Sequence, residues 1–460
     1  MNFRQSVIWK DIFKILNQKQ VPYPVGDWKG VLHTEIGNII PIKISEIVIE
    51  KDFINEVTEK ITVSFLIDKG TYLSKIYPHL ENMEMTLYRY PITQQSYNKP
   101  LKYDFKQRFK AIYLDKYNHR PKGTKEQMTS LTGTELLGNI TVNLQLMNLH
   151  VEPLRLRFIH GSYLGYTHEQ LLNTVIENSV NAITLPTGKC IDKFDIVKPD
   201  NNKPIQNLIV PSDTNILDFP YWLHNNQMGV YSTGLGTFVT KIKDTNTNKS
   251  HSHYFIYPTY SANDKNNSII LYTLPDTELN YNESTFQIKG KKIHILGHIK
   301  GSYMENKQVA ELKNGTGFRV PSSHYYMQGY PNKFVKVDKN GPHGQQEKNN
   351  YKVVSKSRKD GFNLAVRQKE VSTANPYKYY SSYVAQTGNY LFYNWQQSDH
   401  TILTPSMPVT LNSLYGNTVN KEKGILVGFT TVIQMRGKGI LNTSGYTETT
   451  VLKIFMNQES

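Results

Sequence analysis

The feature that most constrains this fold is an alternation of apolar and other residues that recurs along the chain. Ile40, Ile42 and Ile44 alternate with other residue types, and the phase slips at Ser45 before the alternation resumes. Because successive side chains of a strand point to opposite faces, a period of two indicates a sheet with one apolar face. Pro41 within the run indicates an edge strand or a bulge. Further segments of this kind lie at 61–67, 84–90, 105–114, 230–231, 237–239, 254–257, 269–274 and 293–296.

The segment 141–158 is longer than the others. Val142 and Leu144 alternate with polar residues, the phase shifts near Met147, and the alternation continues as far as Phe158. A phase shift inside a strand is typical of a β-bulge, which bends the sheet. The sequence therefore predicts one long bent strand here, with arginines on its wet face.

In the C-terminal part of the chain, the sequence predicts a hairpin and two long loops. Apolar strands at 424–435 and 447–456 flank a glycine-containing turn at 436–439. The polar stretches 336–350 and 377–388 are predicted to be long loops or extensions.

Three segments carry helical signals. The strongest is 167–180, where Thr167 and Gln170 form a capping-box pattern and apolar residues follow at helical spacing. A weaker helix is predicted within 213–224. The first segment, 6–16, has one apolar stripe and predicts a short amphipathic helix or arm.

These elements predict a mainly β fold with minor α content, formally α+β. Two antiparallel β-barrel-like modules are expected on either side of a small helix-containing domain. The predicted divisions are an N-terminal helix or arm at 1–30, a first β-barrel module at 31–160, a helix-containing domain at 161–236, a β-rich insertion at 237–300 and a second β-module with long loops at 301–460.

Composition excludes several classes of protein. The 460 residues carry a formal charge of +15, and 31 of them are tyrosines. The single cysteine, Cys190, excludes a disulfide framework and a cysteine-based metal site. The first residues lack the pattern of a secretory signal, and no apolar run is long enough to span a bilayer. We therefore expect a protein made in the cytoplasm.

Motifs that suggest catalysis have simpler explanations. Ser398, Asp399 and His400 are the residue types of a hydrolase triad, but consecutive side chains diverge, so a polar loop is expected. Gly234 and Gly236 resemble the start of a dinucleotide fingerprint, but a strand follows them, which favours a tight turn. Paired acids for glycoside hydrolysis have no recognisable setting. We expect no enzyme activity, no catalytic residue and no cofactor.

Histidines offer a weak candidate for a metal site. His251 and His253 lie two residues apart, which places both imidazoles on one face of a strand. A third ligand at suitable spacing is missing, and His294 and His298 are only loosely suggestive. The expectation is that no metal binds.

Basic and aromatic residues alternate at 88–90 and 377–380, with mild clusters of lysines at 352–359 and 421–423. Such residues stack on nucleic-acid bases and neutralise phosphates. Tyrosines of this kind also form protein interfaces, because they give a large contact area at low entropic cost. The sequence leaves both alternatives open.

The order of elements resembles the tail-hub or baseplate-hub subunits of bacteriophages with contractile tails, and the resemblance runs along most of the chain. It is carried by the strand 61–65, Gly70-Thr71-Tyr72, the segment 76–80, the strand 85–89, the capped helix 167–180, Ile209-Val210-Pro211 and Gly229-Val230-Tyr231.

The resemblance implies a non-enzymatic structural protein of the virion. Such hubs have two related β-barrel modules per chain and form trimers, in which six barrels make a ring between tail tube and central spike. It implies a homotrimer, tail-tube and spike proteins as partners, and passage of DNA through the lumen without sequence-specific binding. We also expect the sheets of one copy to be completed by its neighbours.

Two other functions remain open at this point. A phage receptor-binding or tail-appendage protein is also rich in β-structure and oligomeric. A nucleic-acid-binding protein is the alternative that the charge of +15 favours.

Overall fold

The computed structural model describes residues 10, 12, 26–91, 103, 105–114, 138–185, 188–227, 229–243, 250–263, 267–273, 285–304, 356–357, 363–364, 389–415, 418–435 and 445–456. The first strands are β1 Gly26–Thr34, β2 Gly37–Ile39, β3 Lys43–Asp52, β4 Lys60–Asp68, β5 Met83–Pro91, β6 Phe105–Tyr113 and β7 Asn139–Asn148. The middle strands are β8 Gly161–Tyr163, β9 Thr184–Leu185, β10 Gly188–Lys189, β11 Lys193–Ile196, β12 Leu208–Val210, β13 Leu235–Lys243 and β14 Ser250–Pro258. The last strands are β15 Ser268–Thr273, β16 Phe286–Lys289, β17 Lys292–Met304, β18 Lys356–Ser357, β19 Asn363–Leu364, β20 Asn389–Gln396, β21 Pro408–Tyr415, β22 Thr418–Met435 and β23 Tyr446–Met456.

Helical structure is sparse in the described part of the chain. The helical segments are Lys69–Thr71, Tyr72–Ile76, Tyr77–His79, Val151–Arg155, His168–Gln170, Leu171–Ile176, Glu177–Asn181, Phe219–Asn226 and His400–Ile402. Of the described helices, none has both the length and the apolar character that crossing a membrane requires.

The largest sheet contains a first closed circuit of paired strands. Within the described strands, pairing runs β22–β3–β4–β7–β6–β5–β1–β23, and β23 pairs back to β22. Each of these pairings is antiparallel, and the link between β1 and β23 is the short one, at Gly26 and Tyr446. Closure removes the unpaired edges that a flat sheet of these strands would expose.

A second closed circuit uses the same C-terminal hairpin. Its described pairings run β15–β21–β22–β23–β20–β17, and β17 pairs back to β15. Strand β15 is parallel to both of its neighbours, whereas the other pairings of this circuit are antiparallel. We call β22 and β23 the shared hairpin, because both circuits close through it.

Strand β22 of the shared hairpin passes from the second circuit into the first at a bulge. Strand β22 pairs with β21 up to Ile425 and with β3 from Gly428, and its register with β23 shifts between Leu426 and Gly428. A bulge bends a strand, so one strand follows the curvature of two walls.

Each circuit encloses its own apolar core. Ile433 and Tyr446 of the shared hairpin belong to the first core, and Phe429 and Leu452 belong to the second. The interiors are filled by side chains such as Phe65, so the circuits are packed bodies.

A middle unit lies between the strands of the two circuits in sequence. Its core includes residues of the capped helix, of helix Phe219–Asn226 and of the sheet β11–β14–β13. Strands β8 and β12 form a two-stranded ribbon, which hydrogen bonds extend at both ends to cover 157–166 and 205–216.

The structure confirms the prediction of a mainly β fold with minor α content. The Thr167 capping box is formed, with both of its hydrogen bonds present. The second predicted helix is Phe219–Asn226, where Pro220 occupies the first turn, the position that tolerates proline. The phase slip at Ser45 is a bulge, because the register of β3 against β4 shifts between Ile44 and Glu46.

The prediction of one bent strand over 141–158 is wrong beyond Asn148. The side-chain carbonyl of Asn148 accepts a hydrogen bond from the amide of His150 at 3.0 Å, and helix Val151–Arg155 follows. The buried Val151 and Leu154 are three residues apart, which is helical spacing.

The expectation that neighbouring copies complete the sheets is also wrong, because both circuits close within one chain. Several predictions lie outside the described residues: the loops 336–350 and 377–388, the turn 436–439 and, apart from Lys10 and Ile12, the helix 6–16.

Candidate functional site

A buried ionic cluster lies where the two circuits meet. The alternation of β5 places Arg89 in phase with the inward-facing Met85 and Leu87, so its side chain is only 1% exposed. Its Nη1 lies 3.2 Å from Glu448 Oε1 and 3.9 Å from Asp399 Oδ1. Arg89 belongs to the first circuit, Glu448 to the shared hairpin, and Asp399 to the segment that follows β20 of the second circuit.

Asp399 and His400 of the apparent hydrolase triad belong to this cluster, whereas the side chain of Ser398 contacts a different partner. Ser398 Oγ lies 2.6 Å from the hydroxyl of Thr450, whereas Asp399 accepts hydrogen bonds from the amide and hydroxyl of Thr401. His400 Nδ1 lies 3.6 Å from Glu448 Oε2. The segment is polar, as expected, but it is buried and contains a short 3₁₀ helix. Its side chains contact different partners, so they form no proton relay.

The cluster holds the two circuits together. We call Arg89, Asp399, His400 and Glu448 the junction cluster. Taking charges out of water is costly, and the cost is offset here because a guanidinium faces two carboxylates. Removing one partner would leave buried charge uncompensated, so the cluster holds three distant segments in one arrangement.

A second buried ion pair lies in the first circuit, and its lysine also contacts the middle unit. Lys51 Nζ donates to Thr240 Oγ1 at 2.8 Å and lies 3.9 Å from Glu59 Oε2. Asn148 donates from its side chain to Glu59 Oε1 at 3.3 Å. Burial lowers the pKa of Lys51, and the nearby Glu59 carboxylate partly opposes that shift. The contact joins the end of β3 to β13.

The histidines singled out from the sequence make ordinary polar contacts. His253 Nδ1 lies 2.6 Å from Asp195 Oδ2, and His251 Nδ1 lies 4.0 Å from Asp192 Oδ2. Within the described part of the chain, no three His, Cys, Asp or Glu side chains are grouped to hold a metal ion. His294 lies 2.9 Å from the hydroxyl of Tyr272.

The remaining loosely suggestive histidine and the glycine motif also have structural explanations. His298 Nε2 lies 3.1 Å from the Asn394 side chain. Gly234 adopts a positive φ of 98° before β13, and a Cβ at Gly236 would approach the Tyr257 ring to 2.5 Å. Gly234 therefore serves a turn, as the sequence favoured, whereas Gly236 lies within β13 at a close packing contact that the sequence did not indicate.

Tyrosines and lysines form a mixed face on the outside of the first circuit. The rings of Tyr88 and Tyr90 are 6.2 Å apart, and that of Tyr103 lies 5.8 Å from Tyr88. Lys29 Nζ lies 5.3 Å from the Tyr90 ring, and Lys106 Nζ lies 5.6 Å from the Tyr88 ring. Lys29 is in β1 and Lys106 is in β6, the two strands that flank β5. Arg89, between the two tyrosines, points inward and does not contribute to this face. We call this set the tyrosine–lysine face.

Sequence reasoning missed the partner of Arg89. Glu448 lies 359 positions away along the chain. A signal existed in both strands, since each charged residue stands in phase with inward-facing neighbours of its strand. That signal indicates burial, but it does not say which buried charges meet.

No protein-family model and no curated protein sequence matches this chain. Among solved structures, a tail protein from Neisseria meningitidis MC58 is similar at 9% identity, with a TM-score of 0.44, over 93% of this chain and 96% of that one. The 43 kDa tail protein of prophage MuSo2 from Shewanella oneidensis is similar at 11% identity, with a TM-score of 0.44, over 93% of this chain and 98% of that one.

An Escherichia coli component of the type VI secretion system is similar at 7% identity, with a TM-score of 0.39, over 91% of this chain and 75% of that one. Tail proteins are also the class that the sequence resembles.

Proposed function

We propose that this chain is a structural subunit of a phage tail, a ring-forming hub that joins the tail tube to the central spike. The observation that carries the proposal is the shared hairpin, through which both circuits close. Because β22 and β23 belong to both walls, a force on one circuit passes to the other through continuous strands. A connector between two parts of a particle requires such rigidity.

Two buried ionic contacts support the same role. The junction cluster fixes the circuits to each other, and Lys51, which pairs with Glu59 inside the first circuit, donates a hydrogen bond to Thr240 of the middle unit. These charged groups are sequestered from solvent, which suits a scaffold. We propose that the chain is not an enzyme.

The packed cores constrain how DNA would pass. Apolar side chains fill each circuit, so a channel would have to lie between copies of the chain. We propose a closed homo-oligomer, a trimer, located in the tail of the virion. Its copies associate through side-chain surfaces, because both circuits are already closed within one chain.

The native mass of the purified protein tests this proposal. Analytical ultracentrifugation is expected to give a closed oligomer of three copies, and tail-tube or spike protein added to it is expected to co-sediment. A monomer at all concentrations, with no assembly when both proteins are added, would contradict the hub function.

The tyrosine–lysine face favours a second candidate function, binding of single-stranded nucleic acid. Aromatic rings stack on bases and ammonium groups neutralise phosphates, and both occur together here. The charge of +15 would attract a polyanion to the whole chain.

The salt dependence of oligonucleotide binding separates this candidate from the hub. A genuine site would lose affinity steeply with salt, and Tyr88→Ala would weaken binding by about 1–3 kcal/mol. Tyr166→Ala, at an exposed tyrosine on the ribbon of the middle unit, is the control. A flat salt dependence, or equal loss in both variants, would remove nucleic-acid binding as a candidate.

A further inference from the structure

The ribbon of the middle unit presents an apolar outward face. Leu208 and Val210 are buried in the core of the unit, and strand alternation turns the intervening Ile209 outward, where it is 70% exposed. Ile209 pairs with Ser162, so Leu164, two residues beyond Ser162 and just past the end of β8, lies diagonal to it and is 68% exposed.

Two further exposed apolar side chains lie at the end of the ribbon that follows helix Val151–Arg155. Phe158 pairs with Asn215 and stands next to the buried Ile159, so its ring points outward and is 49% exposed. Leu156, at the end of helix Val151–Arg155, is 73% exposed. Isolated exposed apolar residues are normal, but several along one ribbon mark an interaction surface.

Charged residues around these side chains are mainly cationic. Within 155–166 and 203–215, the charged residues are Arg155, Arg157 and Lys203 against Asp213, all four of them exposed, which gives 3 − 1 = +2. Arginine beside large apolar side chains is the composition of interface centres. The local charge has the same sign as that of the whole chain, +15.

We propose that this ribbon face docks an acidic protein partner. Apolar side chains of the partner cover Leu164 and Ile209, while its carboxylates meet Arg155 and Arg157. A second copy that presented this same face would be a poor occupant, because its arginines would meet Arg155 and Arg157 and like charges across an interface repel. The proposal is independent of the hub function.

Two synthetic peptides of equal length test the proposal with the full chain. One alternates leucine with glutamate and the other alternates leucine with lysine, so both offer the same apolar face. Fluorescence anisotropy is expected to show binding of the glutamate peptide, with the lysine peptide at least about tenfold weaker. The double variant Leu164→Ser/Ile209→Ser is expected to weaken glutamate-peptide binding by about tenfold or more.

The control is Ile40→Ser/Ile42→Ser, which replaces two isoleucines of comparable exposure, 75% and 56%, on the first circuit. It is expected to bind the glutamate peptide as the wild type does. Equal binding of the two peptides, or equal losses in the two double variants, would overturn the proposal.

Sedimentation of the ribbon variant separates the two kinds of occupant. If Leu164→Ser/Ile209→Ser lowers the oligomeric mass while the control variant does not, the face is covered by a second copy and the proposal is wrong. An unchanged mass together with lost peptide binding supports the acidic partner. Circular dichroism of each variant establishes that these surface changes leave the fold intact.

Discussion

At the scale of residues, the charges that matter most to this protein are those that the fold removes from solvent. Arg89 faces Glu448 and Asp399 inside the junction, and Lys51 faces Glu59 beneath the middle unit. Buried pairs of this kind stabilise little by themselves, but breaking one costs a great deal. The contacts of Arg89 therefore select one arrangement of distant segments.

Arg89→Met is expected to destabilise the protein by about 3–5 kcal/mol, because two buried carboxylates lose their cation. The matched control is Arg108→Met, which breaks an exposed pair with Glu84 and is expected to cost no more than about 1 kcal/mol. Urea unfolding measures both. An equal decrease in the free energy of unfolding in the two variants would show that the junction cluster does not hold the two circuits together.

The pH dependence of stability is expected to report Lys51. Burial lowers the pKa of its ammonium group below the ordinary value of 10.5. At pH values between the lowered pKa of Lys51 in the folded protein and its ordinary pKa in the unfolded chain, the unfolded chain binds more protons than the folded protein does. The contribution of Lys51 to the free energy of unfolding therefore increases as the pH rises. The stability of the wild type relative to Lys51→Met is therefore expected to rise from about pH 8 to about pH 10.

The exposed Lys29→Met serves as the control for that measurement. Chemical unfolding at both pH values gives the two differences. A difference for Lys51→Met that falls with pH would contradict the sign of the shift.

At the scale of elements, β22 is the strand on which the architecture depends. It is 18 residues long and passes from one circuit to the other at the bulge near Gly428. A glycine is required there by close packing, since a Cβ would approach the carbonyl oxygen of Lys51 to 2.7 Å.

Gly428→Ala is expected to cost about 1–3 kcal/mol, because the backbone of β3 must move to admit the methyl group. Gly301→Ala is the control, since that glycine also stands at a strand irregularity but a Cβ there meets nothing within 4 Å. Its effect is expected to stay below about 1 kcal/mol. Thermal unfolding compares them, and the reverse order would show that the contact at Gly428 relaxes freely.

Several elements were predictable because their signals are local. The slip at Ser45 and the capping box at Thr167 both record geometry within a few residues. The failure over 141–158 is also local. Apolar residues at Val151 and Leu154 fit a continuing strand after a phase shift as well as they fit a helical turn, and the tertiary environment decides between them.

At the scale of the whole molecule, the shared hairpin makes the two circuits interdependent. Neither circuit closes without β22 and β23, which are the last two strands of the described chain. The circuits are therefore expected to unfold as one cooperative unit, although each has its own core.

Leu452→Ala is expected to destabilise the chain by about 2–5 kcal/mol through a cavity in the second core. If the circuits are cooperative, hydrogen exchange measured by mass spectrometry will show reduced protection in β4 and β7 of the first circuit as well as in β15 and β17 of the second. Reduced protection confined to the second circuit would contradict interdependence. Ile209→Ser, on the exposed ribbon face, is the control and is expected to leave protection in both circuits unchanged.

The sequence by itself determined most of the long strands and where the capped helix begins, because these follow from spacing along the chain. It misjudged the run that begins at Ile40, since Ile40 and Ile42 are exposed and lie before β3. Only the tertiary structure decided that the final hairpin closes two circuits, that Arg89 meets a glutamate 359 positions away, and that the His251 and His253 pair binds aspartates. The physical reason is that the alternation of apolar residues indicates that a side chain is buried, but it does not indicate which other side chains that residue packs against. Pairing between distant strands depends on the whole set of competing surfaces, which no local pattern records.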